Sequence, residues 1–142
     1  MAMRLAAALL PFALAGAVAG CGDSPTEPTS TTTTTSTAGT STFASSFGPQ
    51  GASSRLVTAS AAGTLVVTLD SAGPPSDIVV GLGVGIPRND GGGCFVSASL
   101  NTAAGSGARI SVSVDAGNYC VKVYDIGNAR STVSFSSTIT NP

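Results

Sequence analysis

The chain of 142 residues contains no histidine and no tryptophan, and only 9% of its residues are charged. Without histidine it lacks the commonest general base and the commonest transition-metal ligand, so a Ser-His-Asp triad is excluded. An aromatic content of 5% argues against a strong carbohydrate-stacking site. A net charge of -1 without a basic stripe argues against nucleic-acid binding through phosphates. The composition therefore predicts neither a conventional enzyme nor a nucleic-acid-binding protein, and it predicts no cofactor.

Residues 1–20 have the organisation of an export signal. Arg4 supplies a positive charge, and the uncharged, strongly apolar residues 5–20 end in small side chains. This apolar run is short for a membrane-spanning helix, which needs about 20 residues, and Pro11 interrupts it. We therefore expect residues 1–20 to be a cleaved signal peptide.

The end of this segment and the cysteine after it, Val18-Ala19-Gly20-Cys21, resemble the lipobox of bacterial lipoproteins. The resemblance implies cleavage after Gly20 and modification of Cys21 by diacylglycerol and a further acyl chain such as palmitate. Several acyl chains on one residue suffice for stable membrane anchoring. Gly22 follows the cysteine, and in enteric-type bacteria the absence of aspartate there favours the outer membrane. The expected location is the cell envelope, lipid-anchored at the outer membrane or cell surface. The alternative is an ordinary secreted protein with an unmodified Cys21.

Residues 21–41 are expected to form a tether. After Cys21 they are rich in threonine, serine and proline and contain no large apolar side chain. Such a segment cannot bury enough apolar surface to offset its ordering entropy, so it is predicted to be disordered. The interpretation is a stalk between the lipidated cysteine and a domain at residues 42–142.

The apolar residues of 42–142 recur with the period of two that is typical of β-strands. The clearest runs are Leu65-Val67-Leu69, Ile78-Val80-Leu82-Val84-Ile86, Ile110-Val112-Val114, Tyr119-Val121-Val123 and Val133-Phe135-Ile139. Segments rich in glycine, proline, aspartate and asparagine separate them. About eight short strands with regular turns predict an all-β, antiparallel β-sandwich. Residues 110–114 and 119–124, around Asp115-Ala116-Gly117-Asn118, are predicted to form a β-hairpin.

If Cys21 carries lipid, Cys94 and Cys120 remain. An even pair in an exported chain predicts one disulfide, worth roughly 3 kcal/mol for a loop of this length, and the alternative is two buried thiols. Cys120 is out of phase with Tyr119, Val121 and Val123, whereas Cys94 is in phase with the apolar residues that follow it. A disulfide therefore requires either that Cys94 lies in the preceding glycine loop or that a bulge resets the strand phase.

Two segments, Asp77-Ile78-Val79-Val80 and Ala116-Gly117-Asn118-Tyr119-Cys120-Val121-Lys122-Val123-Tyr124, resemble the bacterial pre-peptidase C-terminal domain. The resemblance implies a jelly-roll-like β-sandwich over about residues 42–142. It also implies a non-catalytic accessory role for a secreted peptidase or another secreted enzyme. The cysteine pair departs from the family's common pattern.

Two further groups are candidate binding residues. Gly81, Gly83 and Gly85 share one face of a predicted strand, where another surface can approach closely. That surface is a ligand, another chain or the domain's own N-terminal segment. Asp90 and Asn89 are the candidates for Ca²⁺ among the aspartates near strand ends, although such residues are also ordinary turn formers. No other metal site is predicted.

The function predicted from these features is a non-catalytic cell-envelope lipoprotein that presents a small binding or structural module on a flexible stalk. Its partner is expected to be an envelope polysaccharide or protein, in addition to the membrane that holds the lipid. The alternatives are an accessory domain for a secreted enzyme and a small hydrolase that uses two aspartates.

Overall fold

The computed structural model describes residues 38–142, and the predicted signal peptide, Cys21 and the tether up to residue 37 lie outside the described residues. All regular structure in the described part is β. The strands are β1 (Gly39–Phe47), β2 (Ala52–Ala59), β3 (Gly63–Gly73), β4 (Val80–Pro87), β5 (Cys94–Thr102), β6 (Arg109–Val114), β7 (Gly117–Tyr124) and β8 (Val133–Asn141). Residues 38–142 contain no apolar helix of membrane-spanning length.

The eight strands form two four-stranded antiparallel sheets with the orders β1-β8-β3-β6 and β2-β7-β4-β5. Each strand of the first half therefore pairs with its mirror partner in the second half: β4 with β5, β3 with β6, β2 with β7 and β1 with β8. Such a long antiparallel ribbon, rolled up so that alternate segments fall in opposite sheets, is a jelly roll. The predicted all-β sandwich of about eight strands is confirmed.

The core lies between the two sheets and is built from the alternating apolar residues. Its fully or almost fully buried members include Leu65, Val67, Leu69, Val80, Leu82, Val84, Val121, Val123, Val133, Phe135 and Ile139. Two members of the predicted Ile78–Ile86 run behave differently from the others. Ile78 is buried although it precedes β4, and Ile86 is 58% exposed because it lies past the end of the core.

The predicted hairpin between residues 110–114 and 119–124 is wrong. β6 pairs with β3 in one sheet, whereas β7 pairs with β2 and β4 in the other. Asp115 and Ala116 thus form an arch between sheets. The hydroxyl of Tyr119 secures this arch, because it accepts a hydrogen bond from the Asp115 N–H and donates one to the Asp115 carbonyl, each at 3.1 Å. A tyrosine that bonds back to the chain just upstream is a known device at sandwich corners.

The domain begins earlier than the sequence suggests. Gly39, Thr40 and Ser41, which fall within the predicted tether, belong to β1 and pair with Asn141, Thr140 and Ile139 of β8. Gly39 and Thr40 are exposed and Ser41 is half-buried, so this end of the edge strand has no core face that apolar alternation could mark.

The connections divide between two ends of the sandwich. One end holds the start of β1, the end of β8 and the connections at residues 60–62, 88–93 and 115–116, and we call it the hairpin pole. The hydrogen bond from the Ser60 N–H to the Pro142 carbonyl, at 2.8 Å, lies at this end. The opposite end, the far pole, holds the connections at residues 48–51, 74–79, 103–108 and 125–132.

Candidate functional site

The β4–β5 connection at the hairpin pole is a short, glycine-rich loop that is closed by hydrogen bonds of its own backbone. The Arg88 N–H bonds to the Gly93 carbonyl at 3.0 Å, and the Gly91 N–H bonds to the Arg88 carbonyl at 3.3 Å. The Asp90 carboxylate accepts the Gly92 N–H at 2.7 Å. Gly91 and Gly93 have φ angles of 72° and 93°, which favour glycine. The loop is therefore held in one shape by its own hydrogen bonds.

The predicted disulfide between Cys94 and Cys120 is confirmed, and it fixes the base of this hairpin. β4 lies between β5 and β7, so the two cysteines belong to strands that are two places apart. Such strands are roughly 9.5 Å apart in a flat sheet. The Cα atoms are nevertheless only 5.7 Å apart. The end of β5 must therefore fold over β4 to reach β7.

A bulge and a glycine allow this crossing. The register between β4 and β5 shifts between Val84 and Gly85, so that Ser97 has no pairing partner and Val96 pairs with Gly85. This shift resolves the phase of the cysteines, because it places Cys94 and Val96 on the outer face together with Cys120. A Cβ atom at position 85 would overlap the Phe95 carbonyl. The crossing therefore requires glycine at this position.

A cleft of about 200 Å³ opens on the outer face of the β2-β7-β4-β5 sheet, directly beside the disulfide. Its walls come from β2, the end of β4 and the hairpin loop. The lining residues are Ser54, Leu56, Pro87, Arg88, Gly91, Gly93 and Cys120. The guanidinium of Arg88 has no hydrogen-bond or ion-pair partner among residues 38–142. The cleft thus combines an unpaired cation with apolar walls.

Three large apolar side chains are exposed around the same hairpin. Leu56 is 70% exposed, Phe95 63% and Ile86 58%. Leu56 pairs with Cys120 and shares its outer face. Ile86 and Phe95 lie opposite each other in the β4–β5 register. Their neighbours along the two strands, Gly85 and Cys94, are on the outer face, so Ile86 and Phe95 point to the opposite face of the hairpin. Large exposed apolar groups on a rigid projection are typical of interaction surfaces.

Side chains of the domain itself cover the predicted glycine face. Gly81, Gly83 and Gly85 are all buried. The Tyr124 ring lies where a Cβ of Gly81 would be, and the Val96 side chain would be 2.8 Å from a Cβ of Gly83. Lys122 lies over the same Tyr124 ring, with its Nζ 5.6 Å from the ring centroid. The surfaces that approach these glycines are therefore neighbouring strands of the same sheet.

The calcium candidates Asp90 and Asn89 lie in the hairpin loop. Asp90 uses a carboxylate oxygen to hold its own turn through the Gly92 N–H. Within residues 38–142, no group of three or more histidine, cysteine, aspartate or glutamate side chains is placed to hold a metal ion. The remaining aspartates are spread over both poles, and Asp70 accepts a hydrogen bond from the Thr138 hydroxyl at 2.8 Å.

Asp125, at the far pole, is the most heavily hydrogen-bonded carboxylate of the described residues. One oxygen accepts the Gln50 N–H at 2.8 Å, and the other accepts the N–H groups of Gly127, Asn128 and Ala129 at 2.8–3.0 Å. The Gln50 N–H, with that of Ala129 and the other two, holds the pKa of Asp125 below its usual range. This carboxylate joins the β1–β2 loop to the β7–β8 connection, which is a structural task.

Sequence reasoning missed Leu56, Phe95 and Arg88 as site residues. One signal was present, because Leu56 and Val57 are adjacent large apolar residues in a strand and only one of them can face the core. Val57 is the buried one. Nothing comparable marks Arg88, whose position beside the cleft depends on the bulge and the disulfide.

No protein-family model and no curated protein matches the chain. Among solved structures, it is similar to that of Aeromonas hydrophila PliG, described as a periplasmic lysozyme inhibitor of g-type lysozyme. The TM-score is 0.52 and the sequence identity 19%, over 72% of this chain and 86% of that chain. At this level of identity the likeness concerns the fold.

Proposed function

We propose that this protein is a non-catalytic binding module of the cell envelope, which recognises a protein partner through the hairpin pole. The observation that carries the proposal is the exposure of Ile86 and Phe95 on the disulfide-braced β4–β5 hairpin, with Leu56 exposed on β2 beside its loop. A hairpin that is already ordered loses little conformational entropy on binding, so its apolar contacts contribute more to affinity. Aromatic anchors such as Phe95 are enriched at the centres of protein interfaces.

A protein partner fits this surface better than a polysaccharide. Sugar recognition relies on exposed aromatic rings, and both tyrosines of the domain have structural tasks. Tyr119 secures the arch at Asp115, and Tyr124 covers Gly81. The exposed groups at the hairpin are mainly aliphatic, with one phenyl ring, and these suit the apolar centre of a protein interface.

The envelope location and the lipid anchor are part of the proposal. The Val18-Ala19-Gly20-Cys21 segment supports lipidation at Cys21, and the Cys94–Cys120 disulfide supports an oxidising compartment. The resemblance to the pre-peptidase C-terminal domain supports an accessory role as well, in which the partner is a secreted peptidase.

The likeness to PliG favours one narrower candidate, inhibition of a lysozyme that attacks the envelope. We expect the purified protein to slow lysis of peptidoglycan by a g-type lysozyme, measured as the decay of turbidity. Phe95→Ser and Leu56→Ser should weaken the inhibition. Unchanged lysis at a large excess of the protein would reject this candidate and leave the wider proposal standing.

The wider proposal is tested by site-specific photo-crosslinking in intact cells. A photoreactive residue at position 95 or 56 should give a discrete crosslinked protein species. The same residue at Ile126 is the matched control, because this position is 37% exposed and lies at the far pole. Crosslinks of equal yield from positions 95 and 126, or none from 95 and 56, would contradict recognition through the hairpin pole.

A further inference from the structure

The cleft beside the disulfide is separate from the Ile86–Phe95 pair. It lies on the outer face of the sheet, whereas those two residues point to the opposite face of the hairpin. Its volume of about 200 Å³ is below that of most small-molecule sites, which are about 300–1,000 Å³. The cleft is therefore of a size to admit one or two residues of a peptide, or a group of similar size.

The electrostatics of the cleft favour an anion. Arg88 lines it, and its guanidinium has no partner among the described residues. Within residues 38–142, Arg88 is the one charged residue of the cleft lining, since Asp90 does not line the cleft and its carboxylate accepts the Gly92 N–H at 2.7 Å. A free guanidinium offers paired N–H donors that match the two oxygens of a carboxylate.

The other lining residues of the cleft favour a ligand that has an apolar group next to its negative charge. Leu56 and Pro87 form an apolar surface, and 70% of the Leu56 side chain is exposed. The Ser54 hydroxyl lies 3.6 Å from the point where a Cβ of Gly93 would be, and it has no partner among residues 38–142. Ser54 thus provides a second donor beside the space that Gly93 leaves open.

We propose that this cleft binds the free C-terminal carboxylate of a peptide that ends in a small apolar residue. The carboxylate pairs with Arg88 and accepts a hydrogen bond from the Ser54 hydroxyl, and the terminal side chain packs on Leu56 and Pro87. Capture of a terminal carboxylate is an established mode of peptide recognition. This inference goes beyond the proposed function, because it concerns a different chemical group and, apart from Leu56, residues on the other face of the hairpin from Ile86 and Phe95.

Two dipeptides test the proposal on the full-length protein with its disulfide intact. The probes are N-acetyl-Ala-Ala and its D,D enantiomer, each compared with the C-terminal carboxamide, and binding is followed by amide chemical shifts. We expect saturable shifts at residues 54, 56, 88 and 93 with a carboxylate probe, and at least about tenfold weaker binding of the carboxamide. Preference for the L,L form would assign the site to protein chain ends. Preference for the D,D form would assign it to peptidoglycan stem peptides, which carry D-alanine termini.

Arg88→Gln should weaken binding of the preferred dipeptide by at least about tenfold, which is the loss expected for a charged hydrogen bond. Arg109→Gln is the matched control, because Arg109 is exposed on β6 in the other sheet. Leu56→Ser tests the packing of the terminal side chain on Leu56. This variant should fold normally, because the exposed Leu56 side chain contributes little to the core. The proposal is overturned if neither carboxylate gives saturable shifts up to about 10 mM, if the carboxamides bind equally well, or if Arg88→Gln leaves affinity unchanged. Such a result would leave the crosslinking prediction at Phe95 unaffected.

Discussion

Gly85 is the residue on which the disulfide crossing depends. The folded-over end of β5 brings the Phe95 carbonyl against the position that a side chain would occupy. The Cβ atom and the carbonyl oxygen of this clash are both fixed by the backbone, so no side-chain rotation can separate them. Gly81 differs, because there the neighbour is the Tyr124 ring, which has torsional freedom.

We expect Gly85→Ala to lower the free energy of unfolding by about 1–3 kcal/mol, the usual cost of inserting a carbon into a packed site. Gly107→Ala is the control, because no atom lies within 4 Å of its would-be Cβ and its φ is not in the left-handed region. Urea unfolding of both variants under oxidising conditions measures the difference. Equal midpoints for the two variants would show that β5 does not press against β4 at Gly85.

Asp125 provides a prediction about acid stability. Its carboxylate is stabilised by four backbone N–H groups, so its folded pKa lies below its unfolded pKa. The resulting stability is fully present above the unfolded pKa, which is about 3.9 for aspartate, and it is lost as pH falls through the folded pKa. We expect Asp125→Asn to destabilise the protein at pH 7 and to do so less at pH 3.

The measurement is urea unfolding of the wild type and of Asp125→Asn at both pH values. Asp77→Asn is the control, because its carboxylate takes part in none of the hydrogen bonds of the described residues. A difference between wild type and Asp125→Asn that stays the same from pH 7 to pH 3 would reject the assigned role of this carboxylate.

At the scale of elements, the β4–β5 hairpin contributes to both candidate surfaces, and it shares the cleft with β2. The disulfide ties it to β7, and the loop is closed by its own backbone hydrogen bonds. The bulge at Gly85 turns its end out of the plane of the sheet. An edge hairpin without these constraints would be expected to fray at its tip.

Replacing both cysteines, Cys94→Ala with Cys120→Ala, should cost about 3 kcal/mol of unfolding free energy for a loop closed over 26 residues. The same variant should show faster amide hydrogen exchange in residues 88–93, while exchange in residues 125–129 stays unchanged. Urea unfolding and hydrogen-exchange mass spectrometry measure the two effects. Uniformly faster exchange at both poles would mean that the disulfide acts on the whole sandwich and not on the hairpin.

The sequence predicts the strands well because each of them buries one face. The alternation in Leu65-Val67-Leu69 and in Val80-Leu82-Val84 marks their core faces directly. Pairing is harder to predict. A short connection such as Asp115-Ala116 fits both a hairpin and an arch between sheets, and the hydroxyl of Tyr119 selects the arch through tertiary contacts. The cleft is harder still, since it depends on a bulge that no residue type specifies.

At the scale of the whole molecule, we expect the β domain to bind the partner and the N-terminal segment to attach the protein to the membrane. The jelly roll provides a rigid platform, and the lipobox-like segment predicts how that platform is held. The predicted attachment at Cys21 and the proposed binding surfaces lie in separate parts of the sequence. A variant at Cys21 therefore tests the predicted attachment without changing a residue of the cleft or of the Ile86–Phe95 pair.

Cys21→Ser should give an unlipidated protein that leaves the membrane fraction, because the acyl chains are the proposed anchor. The double variant Cys94→Ala with Cys120→Ala is the matched control, and it should remain in the membrane fraction. Fractionation followed by intact-mass measurement checks both variants. Membrane retention of Cys21→Ser, or a mature mass without acyl chains in the wild type, would contradict the anchor.

The position of the first and last strands of the domain has a practical consequence for experiments on this protein. β1 starts and β8 ends at the hairpin pole, where Gly39 pairs with Asn141. An affinity tag, a fusion partner or a sensor-chip linkage joined directly before Gly39 or after Pro142 therefore shares that pole with the cleft and with Phe95, and it can mask the surface under study. A single engineered cysteine at Ser106, in the far-pole loop between β5 and β6, would orient the molecule on a support with the hairpin facing the solution.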